Sequence, residues 1–118
     1  MRETVRDKER LEHIMEALQR TQASLDKWGK EMFMQDKTFF FGLVKNLEII
    51  GEATYKLTKE FKDSHSEMPW AYMEKMRHIL VPGYYLIEEK IIWETIESDL
   101  PEITPIIKKY LNAFKSQG

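Results

Sequence analysis

The chain has 118 residues, 42% hydrophobic and 32% charged, with a formal net charge of −2 and no cysteine. That length accommodates one domain, residues 1–118, around one core, and the composition is that of an ordinary globular protein rather than a disordered or membrane-spanning one. The missing cysteines exclude disulfides, thiolate zinc sites and a thiol nucleophile, and the slightly acidic balance excludes a nucleic-acid binder that works through an overall basic field, though not local contact.

The stretch Met1 to Arg10 is densely charged and has no apolar h-region, so no secretory signal is expected there. Charges interrupt every apolar run well short of the roughly 20 residues that cross a bilayer. A soluble, cytoplasmic protein that does not use a membrane is the expectation.

From Asp7 to about Trp28, Leu11, Ile14, Met15, Leu18, Leu25 and Trp28 recur at the three-and-four spacing of one buried helical stripe, with Glu12, Glu16, Gln19 and Arg20 opposite. Gly29 is expected to close this helix, because glycine accepts the left-handed backbone of a helix end. Asp36 or Thr38 then caps a second helix running to about Phe61, with Phe40, Leu43, Val44, Leu47, Ile50, Thr54 and Leu57 in register. Phe39, Phe40 and Phe41 cannot all face one way, so this helix is either central to the core or shared with a partner chain. Lys62 to Met68 reads as a loop, and Pro69 suits the first turn of a third helix, where a missing amide hydrogen costs nothing.

The third helix carries Trp70, Met73, Met76, Arg77 and Leu80 and is expected to stop near Val81, since Pro82 disfavours helical geometry before it and Gly83 follows. A fourth helix, about Glu88 to Ser98, buries Ile91, Ile92, Thr95 and Ile96, and Leu100 and Pro101 punctuate it. The last presents Ile103, Ile106, Ile107, Tyr110, Leu111 and Phe114, with Pro105 placed in its first turn. No stretch alternates with a period of two. The predicted fold is all-α, an antiparallel bundle of about five helices.

No phosphate loop, zinc helix or nucleophile elbow is present. His13, on the polar side of the first helix, and His65, in the loop, read as surface residues; Lys108 and Lys109 read as a solvated helix end, and Glu88 and Glu89 as acidic residues suited to a helix N-terminus. Gly51 lies inside an apolar helix centre, where glycine costs about 1 kcal/mol relative to alanine, so it points to close packing against another element. Glu52 beside it either faces that contact or lies on the surface.

The segment Arg77 to Tyr85 is where chemistry is concentrated. An arginine in line with Met73, Met76 and Leu80 sits near apolar surface, where a guanidinium needs an anionic partner or ligand. His78 supplies an imidazole, and Tyr84 and Tyr85 supply hydroxyls or stacking faces past the break. On the residues alone Arg77 is either structural or part of an anion or nucleotide site.

The blocks Ile49-Ile50-Gly51-Glu52-Ala53, Pro69-Trp70, Met76-Arg77-His78-x-Leu80-Val81-x-Gly83-Tyr84-Tyr85, Ile92-Trp93-Glu94-Thr95-Ile96 and Asp99-Leu100-Pro101 stand in the order and spacing of HepT-like proteins. Over nearly its whole length the chain resembles that family of the HEPN superfamily. The resemblance implies a homodimeric helical bundle, the toxin of a prokaryotic toxin-antitoxin pair, with a small MNT-type nucleotidyltransferase antitoxin as partner and RNA as substrate. It also implies an endoribonuclease site that uses neither metal nor cofactor, formed across the dimer, and silenced when the antitoxin transfers AMP to a tyrosine.

Carried onto this chain, Arg77 matches the signature arginine, His78 the adjacent polar position and Tyr84 the modifiable tyrosine, with Glu52 and Tyr85 as supporting cleft residues. The signature histidine falls at position 82, which here is Pro82. Proline carries no titratable group, and loss of one acid-base group costs about 10²- to 10⁴-fold in rate. The resemblance therefore implies a weakened nuclease with Arg77 and His78 as its catalytic candidates, or a non-catalytic dimer that binds the antitoxin and is modified on tyrosine.

Overall fold

The computed structural model describes residues 2–78 and 89–117. Those residues form an all-α bundle without strands: α1 (Arg2–Gln35), α2 (Lys37–Lys56), α3 (Lys59–Ser64), α4 (Trp70–Lys75), a 3-10 turn (Met76–His78), α5 (Glu89–Glu94), a π turn (Thr95–Asp99) and α6 (Leu100–Gln117). No helix among them is long and apolar enough to cross a membrane.

α2 is the centre of the molecule, packed against α1, α4 and the 3-10 turn, while α6 packs on α1 and joins the same core. Its register buries Phe40, Leu43, Val44, Leu47, Ile50 and Ala53, and each large apolar side chain so covered stabilises the fold by about 1.5–3 kcal/mol. From α1, Leu11, Ile14 and Leu18 meet this stripe. The three consecutive phenylalanines divide as their geometry requires, with Phe40 buried, Phe39 half-buried and Phe41 48% exposed.

Gly29 ends the first helical segment of α1, as expected, and a second short segment follows it across a kink. Its φ of 75° and ψ of −175° form an extended, positive-φ conformation open essentially to glycine, and helical geometry resumes at Lys30 and continues to Gln35. The resumed turn carries Phe33 into the core, where its ring lies 5.1 Å from both Phe40 and Trp93. Asp36 then caps α2 by accepting from the Phe39 N–H at 2.8 Å.

The helix expected to reach Phe61 breaks at Leu57, whose ψ of 144° is extended. The cause lies far away in sequence. Asp7 of α1, 4% exposed, accepts hydrogen bonds from the Thr58 N–H at 2.9 Å and the Thr58 hydroxyl at 2.7 Å. The Thr58 oxygen in turn accepts from Phe61 N–H at 3.1 Å, so Thr58 caps a separate helix, α3, that runs from the expected end of the second helix into the expected loop. Pro69 stands at the N-cap of α4, one residue before the expected position.

His65 is not a simple surface residue. It stacks on Phe61 with centroids 4.1 Å apart and meets the Tyr110 ring at 4.4 Å, and Trp70 Nε1 donates to its carbonyl at 2.9 Å. This cluster ties α3 and the loop after it to α6.

Leu100 and Pro101 do not separate two helices. α5, the π turn and α6 follow without interruption, the wide turn being marked by the Leu100 N–H donating to the Thr95 carbonyl. A proline ring clashes with the carbonyl four residues back and offers no N–H, and a π turn just before Pro101 accommodates both. Pro105 consequently lies inside α6, past its first turn, on an exposed face where the freed Pro101 carbonyl can meet water.

Candidate functional site

The 3-10 turn is seated on α2 by the absence of one side chain. A Cβ added to Gly51 would lie 2.2 Å from the backbone N of Arg77 and 2.8 Å from the carbonyl carbon of Met76. Gly51 is thus the close-packing position that its place in an apolar helix predicted. The approach holds Arg77 at the edge of α2, with Met76 and Met73 buried behind it. The half-buried Arg77 guanidinium stacks on the ring of Tyr55, its Cζ 3.5 Å from the centroid. Among the described residues it forms no ion pair.

Beside Arg77 opens a cleft of about 400 Å³ between α1, α2 and the 3-10 turn. Its floor is α2, contributing Ile49 and Ala53 between two charged pairs. Lys45 faces Glu48 at 3.9 Å and Lys56 faces Glu52 at 3.5 Å. α1 forms the opposite wall with Arg10 and His13. Arg10 Nε is buried and has no hydrogen-bond partner among the described residues.

The charge balance of the cleft follows from these pairings. Both glutamates are matched by lysines one helical turn away, which leaves the Arg10 and Arg77 guanidinia without carboxylate partners on facing walls. A half-buried guanidinium with free donors recruits an anion, and its planar fork suits the oxygens of a phosphate group. A phosphodiester fits such a cleft in charge and in hydrogen-bonding capacity.

Of the residues singled out in the sequence, Arg77 and Glu52 line this cleft together, Glu52 half exposed and paired to Lys56. His78 is exposed and is not part of the cleft wall. Pro82, Tyr84 and Tyr85 lie outside the described residues. Arg10 and His13 were missed, because a polar helix face looks the same in sequence whether it meets solvent or a cleft.

A second cavity, about 300 Å³, lies where α4 meets the π turn and is lined by Pro69, Tyr72, Asp99, Glu102 and Ile103. The Tyr72 hydroxyl donates to Asp99 and lies 3.2 Å from the Thr95 hydroxyl; burial, followed by the Asp99 interaction, raises its pKa above the ordinary tyrosine value. Two carboxylates make this cavity unsuited to a phosphate. Among the described residues no three His, Asp or Glu side chains converge as metal ligands.

Comparison with known proteins agrees with this architecture. The model of the HepT-like family, described as ribonuclease HepT-like, matches residues 11–110. A candidate RNase of Caldanaerobacter subterraneus subsp. tengcongensis is 36% identical over 105 residues, covering 89% of this chain and 94% of that protein. A candidate ribonuclease HepT of Thermococcus cleftensis is 34% identical over 96 residues, covering 81% of this chain and 87% of that protein. In Methanocaldococcus jannaschii a protein named as both a gamma-glutamylcyclotransferase and a candidate RNase is 29% identical over 101 residues, which span 86% of this chain but 46% of that protein. No solved structure matches significantly. The chain belongs to the HepT-like family of the HEPN superfamily.

Proposed function

We propose that this chain is an endoribonuclease of reduced activity, in which Arg77 holds the scissile phosphate and stabilises the charge that develops on it. The observation that carries the reading is the Arg77 guanidinium, braced on Tyr55 and free of any carboxylate among the described residues, in one cleft with the unpartnered Arg10 Nε. Relatives named as candidate RNases support the same chemistry. A preorganised cation where charge grows in the transition state contributes several kcal/mol to catalysis. Pro82, in place of the signature histidine, is the reason for reduced activity.

The reading extends to the biological setting of the family: a homodimer, acting as a toxin that pairs with a nucleotidyltransferase antitoxin, which transfers AMP to Tyr84. Large side chains left exposed at the end of α1, the start of α2 and the start of α5, namely Met34, Phe41 and Ile91, offer apolar surface for a second copy. Pro82 also favours a second reading, a dimer that binds the antitoxin and is modified on tyrosine without cutting RNA.

The deciding experiment incubates the purified protein with cellular RNA in the presence of EDTA. Cleavage that disappears in Arg77→Ala supports the nuclease. No cleavage at any protein concentration, together with an AMP mass increment on Tyr84 after incubation with the antitoxin and ATP, establishes the second reading instead.

A further inference from the structure

We propose that His13 is the acid-base residue of this cleft, supplying from α1 the proton transfer that position 82 lacks. The inference rests on the ribonuclease reading and adds to it the identity of the proton carrier. Three histidines occur in the chain. His65 is held in the aromatic cluster, its Nδ1 2.8 Å from the Phe61 carbonyl, and His78 stands outside the cleft wall. His13 alone lines the cleft that Arg77 enters.

Its position suits the task. His13 follows Arg10 by three residues, so the two side chains share one face of α1, and that face lies across the cleft from the 3-10 turn. A phosphodiester bound between Arg10 and Arg77 therefore has an imidazole on one flank. His13 is exposed and makes no hydrogen bond to any described residue, which leaves both ring nitrogens available. The charged groups facing it are Arg10 on α1, Lys45, Glu48, Glu52 and Lys56 on α2, and Arg77. With the lysines and glutamates paired to one another, the two arginines are left for the phosphate and the imidazole for the proton.

The step balances without a co-reactant beyond water. His13 takes the proton of the ribose 2′-hydroxyl as its oxygen attacks phosphorus, forming the 2′-O–P bond. The bond from phosphorus to the 5′-oxygen breaks, and that oxygen takes a proton from water, leaving hydroxide. The His13 imidazolium then returns its proton to that hydroxide. The products are a 2′,3′-cyclic phosphate and a 5′-hydroxyl end. Imidazole is the side chain best matched to such a transfer near neutral pH.

The test compares wild type, His13→Gln, His78→Gln and Arg77→Ala as purified full chains on a single-stranded RNA oligonucleotide, following cleavage from acid to alkaline pH. The deoxy analogue of the same sequence, which lacks the attacking hydroxyl, serves as the binding probe. His13→Gln is expected to lower the rate by about 10²- to 10⁴-fold and to abolish the acidic limb of the pH profile, with binding of the deoxy analogue unchanged. In His13→Ala, added imidazole is expected to restore part of the rate. A His13→Gln protein that keeps its rate and acidic limb while Arg77→Ala is inactive overturns the role of His13 and leaves the nuclease standing. Loss of the acidic limb in His78→Gln instead overturns it equally. Wild-type protein that leaves the RNA intact overturns both.

Discussion

Gly51 and Arg77 meet backbone to side-chain void: the missing Cβ of one is the space occupied by the amide nitrogen of the other, at 2.2 Å. Because the obstacle is backbone, it cannot rotate away. Gly51→Ala gains about 1 kcal/mol of helix propensity, but overpacking of this kind costs about 1–3 kcal/mol and pushes the 3-10 turn off α2. The expected result is a lower urea midpoint at unchanged slope, together with weaker RNA binding because Arg77 is displaced from the cleft. An unchanged midpoint would show that the contact is looser than its geometry.

Much of this is legible in the sequence, and the exceptions share a cause. The stripes of α1, apart from the exposed Trp28, and of α2, the Asp36 cap and the break at Gly29 depend on residues near one another in sequence. Gly51 signals a close approach only by its cost inside a helix, without naming Arg77 as the partner. The break at Leu57 is not local. It is imposed by Asp7, 51 residues earlier, and nothing in the sequence around Thr58 distinguishes it from a helical threonine. The cleft shows the same limit. Arg77 stood out because an arginine interrupts an apolar line, whereas Arg10 and His13 lie on a face that is polar throughout and acquire meaning only when α2 brings the 3-10 turn across from them. The π turn before Pro101 escaped because a proline reads as a helix stop unless its neighbours widen to accept it.

The Asp7–Thr58 contact is predicted to be a coupled pair. A buried carboxylate that accepts from a backbone N–H and a hydroxyl makes charge-assisted bonds, each contributing about 1.5–3 kcal/mol, so Asp7→Ala is expected to cost about 3–6 kcal/mol. Thr58→Ala removes the α3 cap and one of these bonds, at about 2–5 kcal/mol. In a double-mutant cycle the two are expected to be non-additive by about 1 kcal/mol or more. Additive losses in chemical denaturation would mean that the two residues stabilise the fold independently.

Tyr110 and Glu67 give the fold a pH dependence at both extremes. The Tyr110 hydroxyl donates to the Glu67 carboxylate, and that bond is the main cause lowering the Glu67 pKa below its ordinary value. A lowered carboxyl pKa means that the unfolded chain binds more protons in that window. The stabilisation is thus complete above the ordinary carboxylate value and lost as pH falls through the folded one. On Tyr110 burial acts first and the hydrogen bond second, both raising its pKa. There the sign reverses: stability is complete below the ordinary tyrosine value, and declines as pH rises from it toward the folded one. Tyr110→Phe is expected to flatten both limbs of the stability-pH curve while leaving its middle displaced by a constant amount. A curve parallel to wild type at acid pH would show that Glu67 is held by something other than Tyr110.

Pro82→His tests whether the scaffold, with His13 as its base, still lacks a general acid for the leaving 5′-oxygen, which otherwise takes its proton from water. The family signature sets a histidine five residues after the arginine, and here the arginine remains at Arg77 while position 82 has no titratable group. If Arg77 and Arg10 already bind the phosphate, adding an imidazole changes the chemical step and not the binding. RNA cleavage is then expected to rise by up to about 10²- to 10⁴-fold, with affinity for a deoxy analogue unchanged. The gain should appear in kcat rather than KM, because a group acting only in proton transfer stabilises the transition state and not the bound substrate. It should also vanish when Arg77→Ala is added, since proton transfer is of no use to a phosphate that is not held. A variant that binds as before and cleaves no faster would place the deficit elsewhere in the cleft, and would favour the reading in which this chain binds its antitoxin without cutting RNA.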